Sequence, residues 1–218
     1  MTQTAAQTSR ITSLAELRAL AGSPSERAVR KQLDALDVHC RRFVERAPLL
    51  MLATSGADGR CDVSPKGDQP GFVAVLDEHT LAIPDRPGNK RFDSLQNILS
   101  NRHVGLLFLI PGMDETLRIN GTAELVREPA LLDQLAVAGK PPLLAIVVHV
   151  EEVFLHCGRS SLRAHAWDPA RYMPRDELPS LSRMIADQTR PPGVEQADFE
   201  RTVEAAEAGT AEAYRCLY

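Results

Sequence analysis

The chain has 218 residues, 44% hydrophobic and 25% charged, which is enough apolar material for a packed core in one large domain or two small ones. Its 25 Lys and Arg against 29 Asp and Glu leave a net charge of −4, which argues against the basic footprint of a general nucleic-acid binder. No apolar run approaches the roughly 20 residues of a membrane span, and the polar start lacks a signal-peptide core, so a cytoplasmic protein is expected.

Residues 1–10 are expected to be disordered. Ser13 and Glu16 are spaced as a capping box for a helix with Leu14, Leu17 and Leu20 on one face, closed by Gly22. Pro24, Ser25 and Glu26 open a second helix. Val29, Leu33, Leu36, Cys40 and Phe43 then recur at alternating spacings of four and three. That stripe predicts one amphipathic helix of about five turns. Arg27, Arg30, Lys31, Asp34 and Arg41 fall on its solvated face.

Pro48 marks a change of period. Residues 49–54 read as an apolar strand, 56–59 as a turn, and 60–64 as an alternating strand interrupted at Pro65 and Gly67. Residues 72–76 and 80–83 form a second hairpin. A loop and short helix over 85–101 lead to a strand at 104–110, a turn at 111–114 and an alternating strand at 115–126. Pro129 starts a helix that ends near Gly139, and 143–155 is a long β-branched strand. Helices return at 181–187 and from 198 to about 208. Six or seven short strands at hairpin spacing predict an antiparallel barrel rather than a parallel α/β sheet.

Cys40, Cys61, Cys157 and Cys216 are scattered without a C-x-x-C pair, the pattern of reduced thiols rather than of a disulfide framework or zinc site. No G-x-G-x-x-G, Walker A, G-x-S-x-G or H-E-x-x-H motif is present, which disfavours a dinucleotide on a Rossmann unit and the familiar hydrolases.

Three segments carry chemistry. The first joins two apolar runs and places the turn Pro87-Gly88, the donor Asn89, the cations Lys90 and Arg91 and the hydroxyl of Ser94 at the mouth of a short helix. Donors and positive charge at that position suit a phosphate. The second, Ser64-Pro65-Lys66-Gly67-Asp68, sits at a broken strand edge, where backbone groups can meet a ligand; alone it also reads as an ordinary bulge with a solvated lysine. The third holds Arg159, Arg163, His165 and Trp167. In an extended segment, Arg163, His165 and Trp167 fall on one side and could grip a planar anion; the alternative is a surface arm packing its tryptophan on the core. His156, Cys157 and His165 lack the second cluster a metal site needs, so no metal is expected.

In this order the segments resemble the pyridoxamine-phosphate-oxidase-like flavoproteins with the FMN-binding split barrel. The resemblance spans about residues 48–168. It looks closest to a subgroup of FMN-dependent enzymes with S-P-K/R-G-D, R-x-x-S-L-x-N-I-L-x-N and H-C-x-K-A…R-x-x-x-W-D-P segments. Here these read Ser64 to Asp68, Arg91 to Asn101, and His156-Cys157 with Arg163 and Trp167-Asp168-Pro169. The resemblance implies a mainly β fold with flanking helices (α+β), a six-stranded antiparallel split β-barrel. Residues 1–46 would be a helical extension, 47–157 the FMN-binding core, and 158–218 an arm and helices closing the site. Two subunits would pair with FMN between them.

Lys90, Arg91, Asn89 and Ser94 would hold the phosphate. Ser64, Lys66 and Gly67 would border the ring, with Arg118 near the cofactor and Trp167 arriving from the arm. Lys66 would tune the ring, while Arg163 and His165 would bind a small polar or anionic substrate. NADH or NADPH would serve as a dissociable donor. The expected function is a flavin-dependent oxidoreductase. The alternatives are a flavin-sequestering protein without turnover, or a haem- or deazaflavin-binding relative, with His156 or His165 as axial ligand in the haem case. Arg159-Ser160 replaces the usual Lys-Ala, and the rest of a pyridoxal-phosphate pocket is not recognisable, so vitamin B6 phosphates are not the expected substrate.

Overall fold

The computed structural model describes residues 10–215. The start expected to be disordered lies outside them except for Arg10, as does Cys216. Helix α1 (Leu14–Ala21) begins where Ser13 Oγ accepts from the Glu16 N–H at 3.2 Å, and ends at Gly22, whose φ of 77° favours glycine. The Glu16 carboxylate reaches back to the Thr12 N–H rather than to that of Ser13.

The single five-turn helix expected next is not formed. Helix α2 (Glu26–Arg30) and α3 (Val38–Arg46) are separate. Between them Leu33 exchanges two backbone hydrogen bonds with Val153, each 2.9 Å. Asp37 then caps α3 by accepting from the Cys40 N–H at 2.8 Å. The bridge and the cap satisfy backbone groups that a continuous helix would have paired internally. The stripe divides accordingly: Leu36, Cys40 and Phe43 are buried, whereas Val29 and Leu33 are exposed.

Strands β1 (Leu49–Ser55) and β2 (Cys61–Gly67) pair from Leu49 opposite Gly67 to Ser55 opposite Cys61 without a shift. The interruption expected at Pro65 and Gly67 is therefore absent. Strand β2 is a sheet edge, where proline's missing N–H costs no ladder bond. The chain continues through β3 (Ala74–Val75), β4 (Thr80–Pro84), α4 (Asp93–Ser100), β5 (His103–Leu109), β6 (Thr116–Val126), α5 (Pro129–Gln134) and β7 (Ala145–His156). Helix α5 stops before the expected Gly139, because Val137 and Lys140 exchange backbone bonds across a turn with Ala138 and Gly139 at positive φ.

All pairings are antiparallel, in the order β2-β1-β5-β6-β7-β4-β3. This is the expected split barrel with flanking helices, with seven strands where the family resemblance implied six; of the strand expected over 72–76, only the two-residue β3 forms. Alternation sends Leu50 and Leu52 of β1, Leu106 and Phe108 of β5, and Leu117 and Ile119 of β6 inward. Phe43 and Val44 of α3 and Leu95 and Ile98 of α4 join that core. A smaller cluster of Ala82, Ala145 and Val147 has Leu131 and Leu132 of α5 packed on it.

After β7 the chain does not stay extended. It forms α6 (Arg159–Ala164), two 3-10 turns, α7 (Leu181–Thr189) and α8 (Gln196–Ala213). Arg163 lies within α6 and His165 closes it at φ 49°, so Arg163, His165 and Trp167 do not share a strand face. No helix among the described residues is long and apolar enough to cross a membrane.

Candidate functional site

In β2, Ser64 stands opposite Leu52 and Lys66 opposite Leu50. Both leucines are fully buried, so Ser64 and Lys66 lie on the core face of their strand. Because β2 is an edge, that face overhangs the core and lines a cleft of about 530 Å³. The opposite wall is the loop after β4, from Asp85 to Phe92, with the first turn of α4; Pro141, Pro142 and Leu143 close one side.

Helix α4 is fixed by two asparagines. Asn97 donates to Thr54 Oγ1 at 3.0 Å and to Asp62 Oδ2 at 2.7 Å, and Asn101 donates to Ser55 Oγ at 2.8 Å. This clamp sets the start of α4 against β2, with the Ser64 and Ser94 hydroxyls 2.9 Å apart. The residue before the helix, Phe92, is left-handed at φ 60° and offers no capping side chain. Lys90 is left-handed too, at φ 60°. Such backbone in non-glycine residues is uncommon and gathers at ligand sites. The first-turn N–H groups of α4 thus have no side-chain acceptor and face an open cleft, which is the requirement for anion binding.

The charges at this cleft are mostly paired. Lys66 Nζ meets Asp85 Oδ1 at 3.2 Å, and Arg86 Nε meets Asp68 Oδ2 at 2.7 Å. Arg91 binds Asp93 through Nε at 2.9 Å and a second nitrogen at 3.4 Å, which raises the guanidinium above its ordinary range. Asn89 Oδ1 accepts from the Arg91 N–H at 3.0 Å and shapes the turn. Lys90 carries no ion pair among the described residues.

The cleft therefore gathers Ser64, Lys66, Asn89, Lys90, Arg91 and Ser94. Other residues singled out in the sequence lie elsewhere. Gly67 stands opposite Leu49, on the outer face. Arg118 is also on that face, flanked by Leu107 and Phe154, ion-paired to Glu152 and 4.0 Å from the centre of the Phe154 ring; its buried Nε lacks a partner. Arg163 and His165 are exposed on the arm, and Trp167 Nε1 donates to the Met113 carbonyl at 2.8 Å. Burial, then the charges of Arg118 and Lys31, depress the His156 imidazole below its ordinary value. No cluster of three or more potential metal ligands occurs among the described residues.

Asp85 and Asp93 were not singled out from sequence. Asp85 follows directly on the β4 run, but its partner comes from the opposite sheet edge, which spacing does not reveal.

Residues 36–157, more than half of the chain, match the model of the family described as pyridoxamine 5'-phosphate oxidase. No curated protein matches. Among solved structures, HupZ from Group A Streptococcus is similar at 23% identity, covering 55% of this chain and 93% of its own, with a TM-score of 0.43. A candidate pyridoxamine 5'-phosphate oxidase from Lactobacillus delbrueckii is similar at 24% identity, covering 57% and 98%, with a TM-score of 0.43. The heme storage protein HutZ from Vibrio cholerae is similar at 14% identity, covering 56% and 93%, with a TM-score of 0.39.

Proposed function

The chain belongs to the pyridoxamine 5'-phosphate oxidase family, and from that premise we propose that it binds FMN in the cleft and acts as a flavin-dependent oxidoreductase on a small polar or anionic substrate. The carrying observation is the uncapped start of α4, open to the cleft beside Ser64, Ser94 and Lys90. These groups fit a phosphate: N–H and O–H donors converge with an unpaired cation. Asn89 orders the turn. Arg91 joins the phosphate only by loosening its hold on Asp93. Lys66, which shares the inner face of β2 with Ser64, would then border the ring.

Bound FMN supplies hydride transfer; the chain supplies position, polarity and exclusion of water. Lys66 presents a positive charge, and Arg163 and His165 orient an anionic substrate. NADH or NADPH visits as a dissociable donor. This reading assigns residues 1–46 to a helical extension, 47–157 to the FMN-binding core and 158–218 to a closing arm, in a cytoplasmic protein.

A homodimer completes it. The residues Met51, Leu107, Arg118 and Phe154 stand side by side across four strands on the outer face, half-buried and largely apolar. A continuous face of this kind suits a second copy. Pairing there brings Gly67, Arg118 and the arm with Trp167 toward the partner's cleft.

Denaturing the purified protein and identifying the released chromophore by mass tests the reading. FMN is expected; release of haem or a deazaflavin would overturn it. Anaerobic reduction by NADH or NADPH, followed by reoxidation with a candidate substrate, separates an enzyme from a sequestering protein, in which the bound flavin stays inert.

A further inference from the structure

Lys66 is held by a carboxylate that neither its own strand nor its neighbouring strand provides. Asp85 lies just beyond β4, and β2 and β4 sit near opposite ends of the strand order. The pair therefore crosses the open seam of the barrel. A second pair, Arg86 with Asp68, crosses the same seam beside it. Asp85 is also fixed through its backbone, whose N–H donates to the Leu144 carbonyl at 3.0 Å. Its side chain is 10% exposed and that of Lys66 20%.

Closing a seam does not need two charges. Apolar residues of similar volume do so as well or better, because removing ions from water is costly. The Arg86–Asp68 pair also ties the same edges already. What Asp85 adds is a fixed place for one ammonium on the cleft wall.

We propose that Asp85 is a positioning residue: anchored on the far side of the split sheet, it holds the Lys66 ammonium in the part of the cleft that would receive the flavin ring. The inference rests on the FMN reading above. Without the carboxylate, Lys66 swings its charge out to water. The cofactor then loses a nearby cation that favours its more negative, reduced form.

The test is the reduction potential of bound FMN in a two-by-two set: wild type, Asp85→Ala, Lys66→Met and the double variant. Asp85→Ala is expected to lower the potential in the Lys66 protein and to leave it unchanged in the Lys66→Met protein. Asp85→Glu, which restores a carboxylate, should recover much of the loss. Asp85→Asn keeps the shape and an acceptor oxygen, and is expected to fall between wild type and Asp85→Ala if the latter folds poorly. An aspartate acting on the flavin directly would give the opposite result, a rise in potential of equal size with or without Lys66. That rise, or no change in either background, overturns the proposal. A wild-type protein that takes up no FMN defeats the flavin reading and this inference together. A loaded wild type with additive shifts defeats the inference alone.

Discussion

At the scale of single residues, the loop proposed to hold the phosphate contains its own competitor. Asp93 occupies the Arg91 guanidinium, and its carboxylate lies where an incoming phosphate would add negative charge. Asp93→Asn should therefore tighten FMN binding, by roughly tenfold if it releases one charge-assisted hydrogen bond. The cost is about 0.3–1 kcal/mol of favourable charge at the start of α4. Arg91→Ala should weaken binding, since it leaves Asp93 uncompensated beside the phosphate. Titration of both variants with FMN checks the pair; unchanged affinity in Asp93→Asn would mean that Arg91 takes no part.

Cys40 gives a pH prediction. Burial, reinforced by its hydrogen bond with Asp37, pushes this thiol up to about 12. The folded state thus favours the neutral thiol more than the unfolded chain does. Its contribution is complete below the ordinary thiol range and disappears as pH rises toward 12. Above that range each pH unit should cost up to about 1.4 kcal/mol of stability. Cys40→Val, which cannot ionise, should lose less stability than wild type when denaturant melts are compared at increasing alkaline pH.

At the scale of elements, β6 and β7 lock through a bulge. The register shifts between Asn120 and Gly121, and a Cβ on Gly121 would meet the His149 carbonyl oxygen at 2.0 Å. Gly121→Ala must push the two central strands apart. A loss of about 3 kcal/mol is expected in equilibrium unfolding, in the range typical of core overpacking.

Strand alternation was legible where one face is buried, as in the run through Leu117 and Ile119, whereas Ser64 and Lys66 share a face only because β2 runs unbroken through Pro65. Pro65 misled because sequence does not reveal which strand is an edge. The stripe from Val29 to Phe43 misled because Leu33 bonds to Val153, 120 positions away, and this contact overrides local periodicity. The Asn97 and Asn101 spacing was visible within the family-like segment, but their clamp on Thr54, Asp62 and Ser55 emerges only once α4 is seated on β1 and β2.

At the scale of the whole molecule, the residues proposed for the phosphate line a cleft within one chain, whereas Gly67 and Arg118 occupy the outer face and Arg163, His165 and Trp167 the arm. The proposed homodimer through the outer face would reconcile the two groups. Sedimentation should give twice the 23.9 kDa chain mass at micromolar concentration. Leu107→Glu, which places a charge in the middle of the face, should yield monomers with weakened FMN binding. Monomeric wild-type protein that still held FMN tightly would remove the partner from the site.

The phosphate grip is tested most directly by equilibrium titration with FMN and with riboflavin, which lacks the phosphate. Two charge-assisted hydrogen bonds at about 1.5 kcal/mol each predict FMN binding tighter by at least roughly 100-fold, with most of that advantage lost in the Lys90→Ala, Ser94→Ala protein. Equal affinity for the two flavins would contradict the assignment of the α4 N-terminus to the phosphate, and an advantage that survives both substitutions would remove Lys90 and Ser94 from it.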